Sequence, residues 1–224
     1  MKKFSLVAIL LLLVVFMGCT PTEYFAYNTK YDYVYGYSIE ITGLSKVNLK
    51  QNLKTIVIPK KIDGLSVTSI ANDAFRGYTN LTSVTIPDSV TKIGRSAFSN
   101  CTSLTSITIP DSVTVIGSYA FSGCKNLTNV SIPNRVEAIY VGTFESCSLS
   151  NITIPNSVTA IGGEAFKNCF FLRNVTIPDT VTDIYTRAFS GCTSLKNVTI
   201  PDSVKHIASD AFEGTGVKLP EKFN

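Results

Sequence analysis

A chain of 224 residues falls within the length of a single domain. Only 16% of it is charged, the formal charge is +4, and beyond Lys2-Lys3 and Lys60-Lys61 the cations do not run together, so the clustered basic stripe that nucleic-acid binding needs is missing. Hydrophobic residues reach 45% with Thr, Ser and Asn between them, which points to a β-rich coil with frequent turns.

The chain begins Met1-Lys2-Lys3, stays almost entirely apolar from Phe4 to Met17, and then reads Gly18-Cys19. A positive start and an apolar run too short and wrongly flanked for a spanning helix make a secretion signal of residues 1–18. Phe16-Met17-Gly18-Cys19 resembles a bacterial lipobox, with Phe16 where Leu is usual, and the resemblance implies lipid attachment at Cys19. An exported lipoprotein at the outer membrane or cell surface is expected, held to the membrane by its N-terminal lipid, with residues 19–30 as a tether.

From Tyr31 the chain reads YDYVYGYSIEIT. Tyr31, Tyr33, Tyr35, Tyr37, Ile39 and Ile41 share one parity, which predicts a strand with one buried face inside an N-terminal β cap over residues 31–50. Such a cap would hide the first coil's core and blunt its open edge, so the Tyr row is read as packing and not as a platform for sugar rings.

Residues 51–220 repeat. Ile-Pro pairs end at Pro87, Pro110, Pro133, Pro155, Pro178 and Pro201, in steps of 23, 23, 22, 23 and 23, and Phe recurs at Phe75, Phe98, Phe121, Phe144, Phe166, Phe189 and Phe212. One such unit cannot bury its own apolar face, whereas stacked units merge single Leu, Ile and Phe residues into continuous columns. The fold expected is a β-rich solenoid, a right-handed leucine-rich-repeat coil of about seven 22–23-residue repeats with the β cap at its N-terminal end.

Within each unit Leu-x-x-Ile-x-Ile is expected as a short strand, ended by a Pro that has no N–H to donate. Asp88, Asp111, Asp179 and Asp202, with Asn134 and Asn156, follow in the turn, where their side chains are expected to accept from nearby backbone N–H groups and not to hold a metal. Gly94, Gly117 and Gly162 in the return run suit a positive φ or close packing. The insertion KKIDGLS between Pro59 and Val67 reads as a loop that turns at Asp63-Gly64. The shortened last coil, through Phe212, Val217, Leu219 and Pro220, leaves an open edge for end-to-end self-association.

Cys101, Cys124, Cys147, Cys169 and Cys192 form a column that is odd in number, points one way and lacks metal spacing, so free buried thiols are expected. His206 lies near Asp202 and Ser203, but the repeat register aligns it with the solvent-facing positions Lys92, Val115 and Asp183. No catalytic residue, metal ligand or cofactor site is therefore read from the chain. The positions between the inward apolar pairs point outward: Ser83, Thr85, Ser106, Thr108, Asn129, Ser131, Asn151, Thr153, Asn174, Thr176, Asn197 and Thr199. This ladder of small hydroxyls and amides is the candidate binding face.

The unit C-x-x-L-x-x-I-x-I-P-x-x-V-x-x-I-G-x-x-A-F resembles the BspA-like (Treponema-type) leucine-rich-repeat family over roughly residues 50–220. The resemblance implies a surface or secreted protein, with adhesion to host proteins or other cells in some members and no common catalytic activity. The expected function is a protein- or glycan-binding, adhesion-type module whose partner is a host or neighbouring-cell surface or matrix macromolecule. The alternative is a structural envelope solenoid without a specific ligand. An enzyme is disfavoured because no irregular polar cluster breaks the repeat.

Overall fold

The computed structural model describes residues 24–34, 36–45, 53–196 and 198–223. The expected signal segment 1–18, Cys19, Tyr35 and Asn197 lie outside the described residues. Among the described residues no helix is long and apolar enough to cross a membrane.

Strands β1 (Phe25–Asp32) and β2 (Gly36–Leu44) form an antiparallel hairpin that runs from Phe25 opposite Leu44 to Asp32 opposite Gly36, with a bulge where Ala26 faces Gly43 and Tyr27 faces Ile41. This corrects two expectations. Residues 25–30 belong to a strand and not to a tether. Tyr31 to Thr42 is not one strand with one buried face, because the chain turns back through Tyr33 and Val34 and Gly36 stands at φ +76°. Tyr33 is 95% exposed and Tyr31 and Tyr37 also face solvent, whereas Ile39 and Ile41 are buried at 1% and 0%. Parity describes the strand but buries a face only where something lies beneath it. β2 meets the solenoid through Ile39 and Ile41, which pair with Val67 and Ile70. Beyond that contact the Tyr31 ring packs across the hairpin on Tyr37 at 4.9 Å. Phe25, Ile39, Ile41 and Leu44 join the common core over the first coil.

After β3 (Thr55–Val57) the insertion forms a second hairpin, β4 (Lys61–Ile62) against β5 (Leu65–Ile70), where a loop was expected. The turn does fall at Asp63-Gly64, with φ of 50° and 79°. Tyr27 Oη donates to Asp63 Oδ2 at 2.8 Å and ties the two hairpins together.

The remaining strands are β6 (Ser83–Thr85), β7 (Lys92–Ile93), β8 (Ser106–Thr108), β9 (Val115–Ile116), β10 (Ala138–Ile139), β11 (Asn151–Thr153), β12 (Ala160–Ile161), β13 (Asn174–Thr176), β14 (Asp183–Ile184) and β15 (His206–Ile207). They stack in parallel along two sides of the coil. One side runs β3-β6-β8, continues through the bridge Ser106–Asn129, and resumes as β11-β13 with the bridge Thr176–Thr199. The return side runs β2-β5-β7-β9 and then β10-β12-β14-β15. Between them the Phe column stacks, from Phe75 on Phe98 at 5.3 Å to Phe189 on Phe212 at 5.0 Å, with ring planes within 13° of parallel. The rings of Phe75 through Phe189 are essentially inaccessible, so truncating Phe121 or Phe166 to Ala costs about 3–5 kcal/mol.

The turn after each Pro is closed differently from the expectation. Val N–H donates to the Pro carbonyl three residues back, as in Val113 to Pro110 at 3.0 Å. The residue after the Asp or Asn then reaches the preceding coil: Ser112 Oγ to Val90 O at 2.6 Å, Ser157 to Val136 at 2.7 Å, Thr180 to Val158 at 2.8 Å and Ser203 to Val181 at 3.0 Å. Among the described residues none of the six Asp and Asn side chains accepts from a backbone N–H; Asp88 and Asp202 instead face Lys60 and Lys222. Of the two roles offered for Gly94, close packing is the one found. A Cβ there would lie 2.5 Å from the Ala71 carbonyl carbon, while the left-handed backbone falls two residues later, at Ser96.

The return side divides between β9 and β10. There Arg135 and Glu137 replace the Ser and Thr whose hydroxyls staple other coils, as Thr114 Oγ1 does to Thr91 O at 3.3 Å. The two coils still meet through Phe121 on Phe144 and through Tyr119 N–H to Val141 O. At the far end a short 3-10 turn, Glu221–Phe223, lays Phe223 half-buried against the core, so the last coil is partly covered.

Candidate ligand-binding face

The strands β3, β6, β8, β11 and β13 set the outward positions side by side. Asn151 lies opposite Asn174 and Thr153 opposite Thr176, one strand spacing apart, and Ser106 lies opposite Ser83. Thr85, Ser106, Thr108, Asn129, Ser131, Asn151, Thr153, Asn174, Thr176 and Thr199 are exposed, and Ser83 is half-buried. Asn174 Nδ2 donates to Asn151 Oδ1 at 2.7 Å, which orders the amide row.

The hydroxyls divide into two sets. Those beside the outward strand are committed to backbone carbonyls of the preceding coil, as in Thr82 Oγ1 to Lys54 O at 2.8 Å and Thr105 Oγ1 to Thr82 O at 3.1 Å. Those on the strand face, at Thr85, Ser106, Thr108, Ser131, Thr153, Thr176 and Thr199, have no side-chain hydrogen bond within the described residues. A row of donors and acceptors without internal partners, held rigid by the ladder, is suited to an extended polar contact.

At the C-terminal end this face deepens into a half-open cleft of about 590 Å³, lined by Asn174, Thr176, Lys196, Thr199 and Lys218 among others. The two lysines escape a reading of strand positions alone. Lys196 follows Leu195 in a column that earlier coils fill with Lys54, Thr82, Thr105, Thr128, Ser150 and Arg173, so the change from hydroxyl to cation begins one coil earlier, at Arg173, and that change is the signal that marks this end.

No catalytic arrangement forms around His206. It is exposed on β15, Ser203 Oγ is committed to Val181 O, and Asp202 faces Lys222. Among the described residues no three His, Cys, Asp or Glu side chains converge as a metal site. The five cysteines are free and buried.

The sequence matches the family described as BspA type leucine rich repeat region, in six copies over residues 50–172 and 159–221. The chain belongs to this family. Its structure is similar to that of a leucine-rich repeat protein from Bacteroides ovatus, at 32% identity and a TM-score of 0.76 over 89% of this chain and 58% of that one. The T. pallidum leucine rich repeat protein aligns at 34% identity and a TM-score of 0.74 over 84% of this chain and 85% of the other. A leucine rich cell surface protein from Faecalibacterium prausnitzii aligns at 34% identity and 0.73, over 86% and 53%. The chain thus spans little more than half the length of the first and third. No curated protein matches it.

Proposed function

We propose that the protein is an exported, surface-located repeat module, lipid-anchored through Cys19, that binds a protein or glycan of a host or neighbouring cell through its outward strand face. The observation that carries this reading is the row of strand-face hydroxyls without internal partners, repeated rung by rung beside the ordered Asn151–Asn174 amides. The cell-surface description of the F. prausnitzii relative supports the location. The absence of a common activity among repeat proteins of this type supports a binding role over an enzymatic one.

The test is capture of partners from host-matrix and neighbouring-cell extracts by the immobilised full chain, beside Thr108→Glu with Thr153→Glu. These substitutions place bulk and charge on exposed positions and leave the core untouched. Capture by the wild type and its loss in the folded variant are expected. Equal capture by both would move the site off the strand face. No capture from any source would return the chain to an envelope solenoid without a ligand.

A further inference from the structure

Charge is not spread evenly around the coil. Each coil has an outward half, from the Cys position through the strand to Pro, and a return half, through Val-x-x-Ile to Phe. The outward segments 53–59, 78–87, 101–110, 124–133, 147–155, 169–178, 192–201 and 215–220 contain no Asp or Glu. They do contain Lys54, Lys125, Arg173, Lys196 and Lys218. All the carboxylates of residues 53–223 lie outside these segments, in the return halves, just after the closing Phe at Glu145 and Glu213, or after Pro220. The ion pairs lie there too: Lys60–Asp88, Arg76–Asp73, Lys167–Glu164, Arg187–Asp210 and Lys222–Asp202. Arg173, Lys196 and Lys218 have no carboxylate within ion-pair distance among the described residues. A face with charge of one sign and no counter-charge projects its potential into solvent and concentrates ligands of the opposite sign.

The cleft gathers this charge at the C-terminal end of the face. Lys196 and Lys218 line it, and Asn174, Thr176 and Thr199 supply an amide and two hydroxyls. We propose that this cleft binds an acidic polysaccharide, whose carboxylate or sulfate groups are held by Lys196 and Lys218 and whose hydroxyls are held by Asn174, Thr176 and Thr199. The proposal rests on the reading of the strand face as a binding surface and specifies its ligand. Two features favour a polysaccharide over an acidic protein. The polar groups of the cleft repeat at one strand spacing, about 5 Å, which suits a polymer with hydroxyls along its length. The exposed Phe170 and Phe171, the anchors an acidic protein would use, lie outside the lining.

The full chain, purified in mild detergent, is passed over immobilised heparin (sulfated), polygalacturonate (carboxylated), neutral dextran and poly-glutamate. Binding to heparin, polygalacturonate or both is expected, weakening as salt rises, with none to dextran; the two acidic arms distinguish sulfate from carboxylate. Lys196→Glu with Lys218→Glu is expected to weaken it by about tenfold or more. Lys92→Glu, exposed on the return side, and Phe170→Ser with Phe171→Ser are expected to leave it unchanged. Circular dichroism of each variant keeps a folding defect from passing as lost binding. Absence of binding to either polysaccharide would overturn the proposal, as would full binding by the double-lysine variant. Preference for poly-glutamate that depends on Phe170 and Phe171 would replace it with an acidic protein partner. If polysaccharide binding fails while capture sensitive to Thr108 and Thr153 persists, only the cleft assignment falls. If both fail, the strand-face reading falls with it.

Discussion

The thiol of Cys124 donates to the carbonyl oxygen of Phe98 in the preceding coil, at 3.2 Å. The same bond recurs from Cys101 to Phe75, Cys147 to Phe121, Cys169 to Phe144 and Cys192 to Phe166, at 3.0–3.2 Å. The cysteine column is thus a run of staples between coils, each a small apolar filler that also supplies a weak donor.

Four of these thiols, Cys101, Cys124, Cys147 and Cys169, make stability depend on alkaline pH. Burial pushes Cys101 up from 9.0 to about 12 and raises Cys124 and Cys147 as well, and a hydrogen bond with Cys192, together with burial, raises Cys169. The folded state keeps protons that the unfolded chain releases above about pH 9. The contribution is therefore fully present below that pH and is lost as pH climbs through the folded values. The unfolding free energy in urea should hold level to about pH 8.5 and then fall, by up to about 1.4 kcal/mol per pH unit for each of these four thiols, and the midpoint should fall with it. Cys124→Ala should make the fall shallower. A midpoint that stays flat to about pH 10.5 would sink the idea.

The division between β9 and β10 is expected to respond to restoring the missing hydroxyls. Arg135→Ser should reach Val113 O as Ser112 reaches Val90 O, and Glu137→Thr should reach Thr114 O as Thr114 reaches Thr91 O. Each added bond is worth about 0.5–1.5 kcal/mol net. Thermal unfolding should shift upward in both variants and most in the pair. No shift, or a lower midpoint, would mean that the neighbouring coils are held apart by something other than lost staples.

The N-terminal hairpin predicts opposite outcomes for two residues of one parity. Tyr33→Ser, at the exposed turn, should change stability by no more than about 0.5 kcal/mol. Ile39→Ala, buried against the first coil, should cost about 2–5 kcal/mol. Urea denaturation distinguishes them, and equal costs would contradict the hairpin geometry.

The parts of the structure that were legible in the sequence are those where one residue type carries the same task in every coil. The Phe and Cys columns and the inward Ile positions could be read from spacing because each stacks on its own kind. What escaped depended on which atoms meet across coils. Asp111 marks the turn, yet Ser112 makes the bond; Gly94 marks a close approach, yet Ser96 carries the left-handed backbone. The Tyr alternation hid a turn because parity records orientation along a strand and not what lies beneath it. On the candidate face the outward Thr and Asn positions were legible, but the lysines of the cleft were not. Lys196 stands one residue before the first outward position, and Lys218 belongs to the shortened coil, where the period no longer applies.

The division of the return side has a mechanical consequence. A pull between the N-terminal hairpin and the C-terminal cleft loads the coils in series, because each coil touches only its neighbours. In such a chain the same force crosses every junction, and the one with fewest cross-links yields first. That junction, between the coils of Phe121 and Phe144 near the middle of the molecule, lacks the return-side strand pairing and is held by the stacked rings, the Ser106–Asn129 bridge and backbone bonds such as Phe121 N–H to Thr143 O. Under tension the solenoid would open there first, into two halves that each keep their own hydroxyl staples.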